Sequence, residues 1–249
     1  MVEILQPDNF QDFKNIKYGF FTRDIGNCGI SDKFDLLEQD LNRNAAAYHV
    51  GVKLEQLMVC QQVHGTDVVT VTEPWKPNAR PKADGMVTKL KKVGLGVLTA
   101  DCGPVLFVDP DAGVIGACHA GWRGALKGII LNTVTAMEAL GARRETIHAA
   151  VGPCIGLRSY EVGYEFNAAF TAENRFNEKF FRPHGIRTDR FTFDLAAYIE
   201  YKARDLSLAS FRVIEDDTYA DEARFFSFRR DTHRKIPKTE NQISAIAQF

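Results

Sequence analysis

What this sequence lacks excludes several classes of protein. No apolar run approaches the roughly 20 residues needed to cross a bilayer, so no membrane partner is expected. Asp8, Asp12 and Lys14 interrupt any apolar core of a secretory signal near the start, and the chain is expected in the cytoplasm. Cysteine is scarce: residues 28, 60, 102, 118 and 154 are odd in number and form no Cys-x-x-Cys. That is wrong for a disulfide framework and suits reduced thiols. Neither sign of charge dominates, since 31 basic and 32 acidic side chains leave a formal net charge of -1. The densest basic stretch, Arg229 to Lys235, is interrupted by Asp231. It leaves no electrostatic footprint for a nucleic acid and reads as a solvated face or a contact to a substrate anion. Neither a GxxxxGK[ST] nor a GxGxxG phosphate loop occurs, and the six histidines include no His-x-His pair. No internal repeat and no Pro-, Gly- or Ser-rich linker divides the chain, so one domain over residues 1–249 is expected. Nothing in the sequence sets an oligomeric state.

A 45% apolar content is enough for a sizeable core. Short β-rich runs are read at 18–22, 57–63, 68–71, 86–88, 93–98, 105–108, 114–118 and 147–151, with late strands at 211–214 and 225–228. Helical spacing predicts a helix over 35–50, with Asp35 as N-cap and Leu36, Leu37, Leu41, Ala45 and Tyr48 on its apolar face. A second helix is predicted over 124–140, stopped by Gly141. Further helices are read at 160–170 and 195–206. Strands cluster rather than alternate strictly with helices, which gives an α+β class.

Three segments carry the chemistry: QQVHG at 61–65, TADCGPVLF at 99–107 and CHAGWRG at 118–124. Each places one ligand type, His64, Cys102 or His119, in a glycine-containing turn beside an apolar run. Two imidazoles and a thiolate can hold a zinc ion and leave its fourth position open, as catalytic zinc sites do. The ligands would converge from three strand ends. The competing chemistry needs no metal: Cys102 as thiolate nucleophile with His119 or His64 as its base. Asp101 could orient a histidine or carry a proton, or could simply cap a turn. The run from His119 enters a predicted helix, whose free N–H groups favour anions. Arg123 adds a fork suited to phosphate or carboxylate, unless it pairs with a structural carboxylate. Gly121 and Gly124 permit close backbone approach, and Trp122 could stack on a planar base. Cys154, in Gly152-Pro153-Cys154-Ile155-Gly156, is a site wall or, more simply, a structural thiol.

Taken in order, QVHG, TADCGPVLF, HAGWRG, VGPCIG followed by YEVG, and FFSFRRD resemble the motifs of the YfiH/YlmD family. That family is also called the laccase-domain or multicopper polyphenol oxidase family. The likeness runs from about Tyr18 to the C-terminus. It implies a single-domain fold of mixed β-sheets packed in a sandwich with flanking helices, similar to the cytotoxic necrotizing factor toxins. It implies zinc at His64, Cys102 and His119 and a Cys102–His119 catalytic pair, to which the residue reading adds Asp101; copper can take the place of zinc at such N/S ligands. The substrate- and phosphate-binding set is Arg23, Trp122, Arg123, Gly124 and Cys154. The implied partners are purine nucleosides and phosphate. The implied reactions are phosphorolysis of adenosine, inosine and methylthioadenosine, and deamination of adenosine. Copper-dependent phenol oxidation and a Cys–His hydrolase or amidase are the alternatives. The chain departs from the family pattern at Asp24 to Cys28, at Asp217-Thr218 and at Glu240-Asn241, all expected on the rim of the site.

Overall fold

Strands buried on both faces set the architecture. Every residue of Gly103–Asp109 and of Val114–Ala120 is buried, which is why both read as near-continuous apolar runs rather than alternating ones. The computed structural model describes residues 2–249. In chain order its elements are β1 (Ile4–Leu5), β2 (Ile16–Phe21), α1 (Leu36–His49), β3 (Leu57–Met58), β4 (Val68–Thr70), β5 (Gly85–Thr88) and β6 (Gly94–Thr99). There follow β7 (Gly103–Asp109), β8 (Val114–Ala120), α2 (Trp122–Lys127), α3 (Ile129–Ala139), β9 (His148–Val151), β10 (Glu161–Gly163) and α4 (Tyr164–Glu173). The chain continues through β11 (Phe181–Pro183), β12 (Arg190–Phe193), α5 (Leu195–Arg204), β13 (Ser210–Val213), α6 (Phe228–His233) and β14 (Gln242–Gln248).

The strands form a six-stranded sheet in the order β13-β9-β7-β8-β5-β4, a five-stranded sheet β1-β2-β14-β6-β3 and a small sheet β10-β12-β11. The two larger sheets pack face to face. Phe20, Leu95, Val97 and Ile246 of one meet Leu106, Val108, Ile115 and Ala117 of the other. Alternate residues of the six-stranded sheet, among them Val105, Phe107 and Cys118, face Ile129, Val134, Met137 and Ile199 of α3 and α5. On the far side, Ile243, Ala245 and Ala247 lie against Ala46 and Ala47 of α1. The fold is therefore α+β, a sandwich of mixed sheets flanked by helices, as the sequence led us to expect.

Several local expectations needed revision. The helix at 35–50 is present, and Asp35 caps it by accepting from the N–H groups of Leu37 and Glu38 at 2.8 and 3.2 Å. Its faces are reversed, however: Gln39, Arg43, Ala46 and Ala47 are buried, while Leu36, Leu37, Leu41 and Tyr48 are exposed. The helix expected at 124–140 is two helices, because Gly128 adopts φ +99°, ending α2 and starting α3. The first part of 160–170 is strand β10, and α4 begins only at Tyr164. Phe225 and Phe226 are buried but belong to no strand; Ser227 accepts from Arg230 N–H and caps α6. β14, a central strand of its sheet, was not anticipated at all.

The β7–β8 hairpin is tied to the following loop by Asp109, which is 1% exposed. Its carboxylate accepts from the backbone N–H groups of Asp111, Ala112 and Arg143 and from the Thr146 hydroxyl, at 2.7–3.0 Å. Burial pushes its pKa up, but these bonds outweigh burial and hold it below the ordinary value of 3.8. A depressed carboxylate contributes stability that is present above the unfolded-state value and lost as the pH falls through the folded-state value. Asp109→Ala should destabilise the chain by about 2–4 kcal/mol at neutral pH. The difference from wild type should shrink below about pH 4, as urea unfolding across pH would show. A constant difference across that range would contradict the assignment.

Candidate metal centre

Strand register builds the centre. In the β7–β8 pair, Gly103 lies opposite Ala120, so the residues just beyond, Cys102 and Gly121, face each other. In the β5–β8 pair, Gly85 lies opposite Cys118, so Asp84 comes opposite His119. The His119 N–H bonds the Asp84 carbonyl at 2.7 Å. His64 arrives on the turn that leads into β4, the strand parallel to β5. One ligand atom from each of His64, Cys102 and His119 lies within 4.8 Å of the others. The Cys102 Sγ is 4.0 Å from His64 Nε2, and the two imidazole rings sit edge to face at 4.7 Å. His64 and Asp101 take φ of +60° and +86°, two of five such non-glycine residues among those described. Backbone of this kind is held only where its surroundings over-determine it.

At His64, Asp84 supplies that constraint, and sequence reasoning missed it. Its Oδ1 lies 2.8 Å from His119 Nδ1 and accepts the His64 N–H at 3.0 Å. Its Oδ2 accepts the N–H groups of Val63 and Gly65 at 3.1 and 2.7 Å. One carboxylate thus fixes the His64 turn and orients the His119 ring, leaving Nε2 toward the centre. Buried carboxylates behind ligating histidines do this in metal sites generally. Burial raises the Asp84 pKa, but the His119 and backbone hydrogen bonds prevail and hold it below its ordinary value. The only local signal was an acid entering a buried strand; its partner is set by the β5–β8 register.

The electrostatics favour a cation. Burial pushes the Cys102 thiol up, but the charge of His119 and hydrogen bonds from both histidines bring it below its ordinary value. Burial pushes His119 down, but Cys102 and Asp84 raise it above its ordinary value. A thiolate beside an imidazolium is the metal-free counterpart of a thiolate and an imidazole sharing a divalent ion. Two nitrogens, one sulfur and an open side fit a tetrahedral ion with a free fourth position. Gly121 keeps the space clear: a Cβ there would stand 3.0 Å from Cys102 Sγ and 3.1 Å from His64 Cδ2. Its φ of -67° suits any residue, so the constraint is space alone. Gly121→Val should therefore leave a folded protein whose zinc affinity falls at least about tenfold, measured by competition with a chromogenic chelator. Unchanged affinity would show that the ligands do not converge at this point.

The centre opens into a cleft of about 790 Å³. Trp122, Tyr160 and Phe228 supply aromatic walls, and Arg80, Arg123 and Arg229 line it. None of these three arginines is paired with a carboxylate among the described residues. The Arg123 guanidinium lies 4.4 Å from the Trp122 ring centre, so the alternative that Arg123 serves a structural carboxylate has no partner here. Arg229 donates to the Glu161 carbonyl at 2.6 Å and lies over Tyr160.

Not every sequence candidate reaches the cleft. Asp101 is in the wall, but its carboxylate accepts from the Thr218 and Ser227 hydroxyls and the Arg229 N–H at 2.6–3.0 Å. It pins the turn before Cys102 to the C-terminal segment. Arg23 points elsewhere, donating to the Glu222 carbonyl at 2.7 Å and packing on Phe226. Cys154 is buried against a separate cavity of about 530 Å³, and burial pushes its thiol up. Gly124 is a packing position: a Cβ there would meet the Gly65 carbonyl oxygen at 2.9 Å. It brings α2 against the His64 turn. Trp75 lies outside the cleft, half-buried, and donates to the Val59 carbonyl. Of the three rim departures, Asn241 lines the cleft, and Thr218 holds Asp101.

A His–Cys–His constellation at the ends of sandwich strands, at the foot of an arginine-lined cleft, defines a class of metal-site protein. A family model described as multi-copper polyphenol oxidoreductase laccase matches residues 23–247. A Rickettsia conorii protein named as a purine nucleoside phosphorylase is 34% identical over 235 residues, covering 93% of this chain and 96% of that one. The Escherichia coli protein named purine nucleoside phosphorylase YfiH is 33% identical over 82% of this chain and 79% of its own. Among solved structures, YlmD from Geobacillus stearothermophilus superposes with a TM-score of 0.81 at 27% identity, over 95% of this chain and 93% of that one. The chain belongs to the YfiH/YlmD family, the laccase-domain family.

Proposed function

We propose that this chain is a purine nucleoside enzyme, acting as one domain over residues 1–249, with zinc held by His64, Cys102 and His119. The observation that carries the reading is the meeting of that ligand group with three unpaired arginines and three aromatic walls in one cleft. The names of the relatives point the same way. Phosphorolysis of adenosine, inosine or methylthioadenosine is the main reaction, with deamination of adenosine as a second one. Phosphorolysis joins a phosphate oxygen to the ribose C1′ while the glycosidic bond breaks and its electron pair leaves with the purine. The protein's part in this is positioning and charge. Trp122, Tyr160 and Phe228 offer π-faces for a planar base. Arg123 and Arg229 offer the forked donors that hold a phosphate. Asp101, with its carboxylate already occupied, anchors the Cys102 turn rather than moving a proton. A bound zinc ion would supply Lewis acidity at its open position. Five free thiols suit the cytoplasm.

Copper could occupy the same N/S ligand set, which accommodates weak phenol oxidation as a side activity. A second reading is favoured by the depressed Cys102 thiol beside His119: a cysteine hydrolase or amidase. The deciding experiment follows adenosine turnover by purified protein with and without phosphate, with products separated and metal content measured. Adenine that requires phosphate supports phosphorolysis, and inosine without it supports deamination. Zinc-loaded protein that yields neither product overturns the nucleoside reading and leaves the cysteine hydrolase.

A further inference from the structure

Helix α1 is inside out for a surface helix. An ordinary one turns its apolar stripe to the core and its polar face to water. Here the inner face is a polar clamp. Gln39 accepts the Ser31 N–H and donates to the Ser31 carbonyl. Arg43 donates to the Cys28 and Gly29 carbonyls, and Asn42 donates to the Asn27 carbonyl. These bonds hold the loop that brings Ile30 and Ser31 to the cleft. With the inner face committed to that loop, the large apolar side chains point outward: Leu36 is 53% exposed, Leu37 68%, Leu41 61% and Tyr48 80%.

The spacing of the outer face matters more than its hydrophobicity. Leu37, Leu41, Asn44 and Tyr48 follow one another at steps of four, three and four residues. That is the spacing of a coiled-coil seam, which seats its knobs between residues of a facing helix. The three apolar side chains of this seam expose on the order of 400 Å², within the range of the largest patch a monomer usually leaves bare and about half of one side of a standard interface.

We propose that this face pairs with α1 of a second copy of the chain, antiparallel about a two-fold axis. The seam is self-complementary in that arrangement. Leu37 of one copy meets Tyr48 of the other and Leu41 meets Asn44, each pair occurring twice, as an isologous contact requires. Charge selects the direction. Parallel pairing would set Asp35, Glu38 and Asp40 of the two copies against each other. Antiparallel pairing in this register sets them against Val50, Ala47 and Ala45, so that no two acids face each other, and also opposes the two helix dipoles. A polar Asn44 in an otherwise apolar seam fixes register at a cost in affinity, so the dimer is weak and depends on concentration. Because the inner face of the same helix clamps the cleft loop, pairing would stiffen that loop.

The test is sedimentation equilibrium of the full-length protein from low-micromolar to near-millimolar concentration. Wild type should pass from monomer to dimer across that range. Leu41→Glu should stay monomeric throughout, with an unchanged melting temperature because the side chain already meets water. Phe176→Glu, which replaces an exposed aromatic outside this face, should dimerise like wild type. Asn44→Leu should tighten the dimer about tenfold or more. A wild type that stays monomeric overturns the proposal and leaves the stripe to a different partner. A dimer that Leu41→Glu does not disturb overturns it by placing the contact elsewhere.

Discussion

Cys102→Ser should empty the centre and abolish turnover. Zinc content should fall from near one per chain to near zero, and phosphate-dependent cleavage of adenosine should drop by about 10³-fold or more. The thiolate is the one anionic ligand of the set, and both histidines lean on it. His119 owes much of its raised pKa to Cys102, and His64 approaches the same sulfur. A serine hydroxyl stays protonated at neutral pH and offers a harder, weaker donor. Cys154→Ala is the informative control. That thiol is buried against the other cavity, so its loss should cost stability of about 1–2 kcal/mol and leave zinc and turnover in place. Metal analysis and product chromatography on the two variants, side by side, check both statements. A Cys102→Ser protein that keeps its zinc and its rate would remove Cys102 from the ligand set. Zinc retained with the rate lost would make Cys102 a nucleophile rather than a ligand and favour the hydrolase reading.

His64, Cys102 and His119 were legible in the sequence because each stands where an apolar run breaks into a glycine-containing turn. A merely structural histidine or cysteine has little reason to sit there. The place of Arg123 on the cleft was half legible: its chemistry is local, but whether a carboxylate claims it depends on tertiary packing. Strands such as Gly103–Asp109 were plain because both faces are buried and the run is unbroken. β14 was missed for a related reason. Gln-Ile-Ser-Ala-Ile-Ala-Gln mixes polar and small residues, and only its place between β2 and β6 buries all of it. In α1 the period and the cap were read correctly and the faces wrongly. Hydrophobic periodicity assumes that leucine points inward, and it cannot anticipate that Gln39 and Arg43 are needed inside to satisfy the carbonyls of an irregular loop. Arg23 and Cys154 stood in the binding set implied by the resemblance, although Cys154 on its own read more simply as a structural thiol. The sheet order sends one to Glu222 and Phe226 and the other to a different cavity.

Asp84 shows where reading along the chain ends, and it carries the second large prediction. Asp84→Asn is nearly isosteric, so its effect isolates hydrogen-bonding capacity. The carboxylate takes four contacts on two oxygens, one from the His119 ring and three from the backbone N–H groups of Val63, His64 and Gly65. An amide has one acceptor oxygen and one donor nitrogen. Whichever way it turns, its NH₂ group meets groups that also donate. With the nitrogen toward Val63 and Gly65, the His64 turn loses its anchor. With the nitrogen toward His119, the ring must shift its proton to Nε2, the atom that should face the metal. Either outcome lowers metal affinity, by about 10–100-fold if Asp84 acts as carboxylates behind ligating histidines do. The metal-free protein should also lose about 2–4 kcal/mol, the cost of leaving buried donors unpaired. Chelator competition measures the first effect and urea unfolding of the metal-free protein the second. A merely structural Asp84 would show the stability loss with zinc affinity intact. Loss of both, with Asp84→Glu no better than Asp84→Asn, would show that the four contacts depend on the length of this side chain as well as its charge.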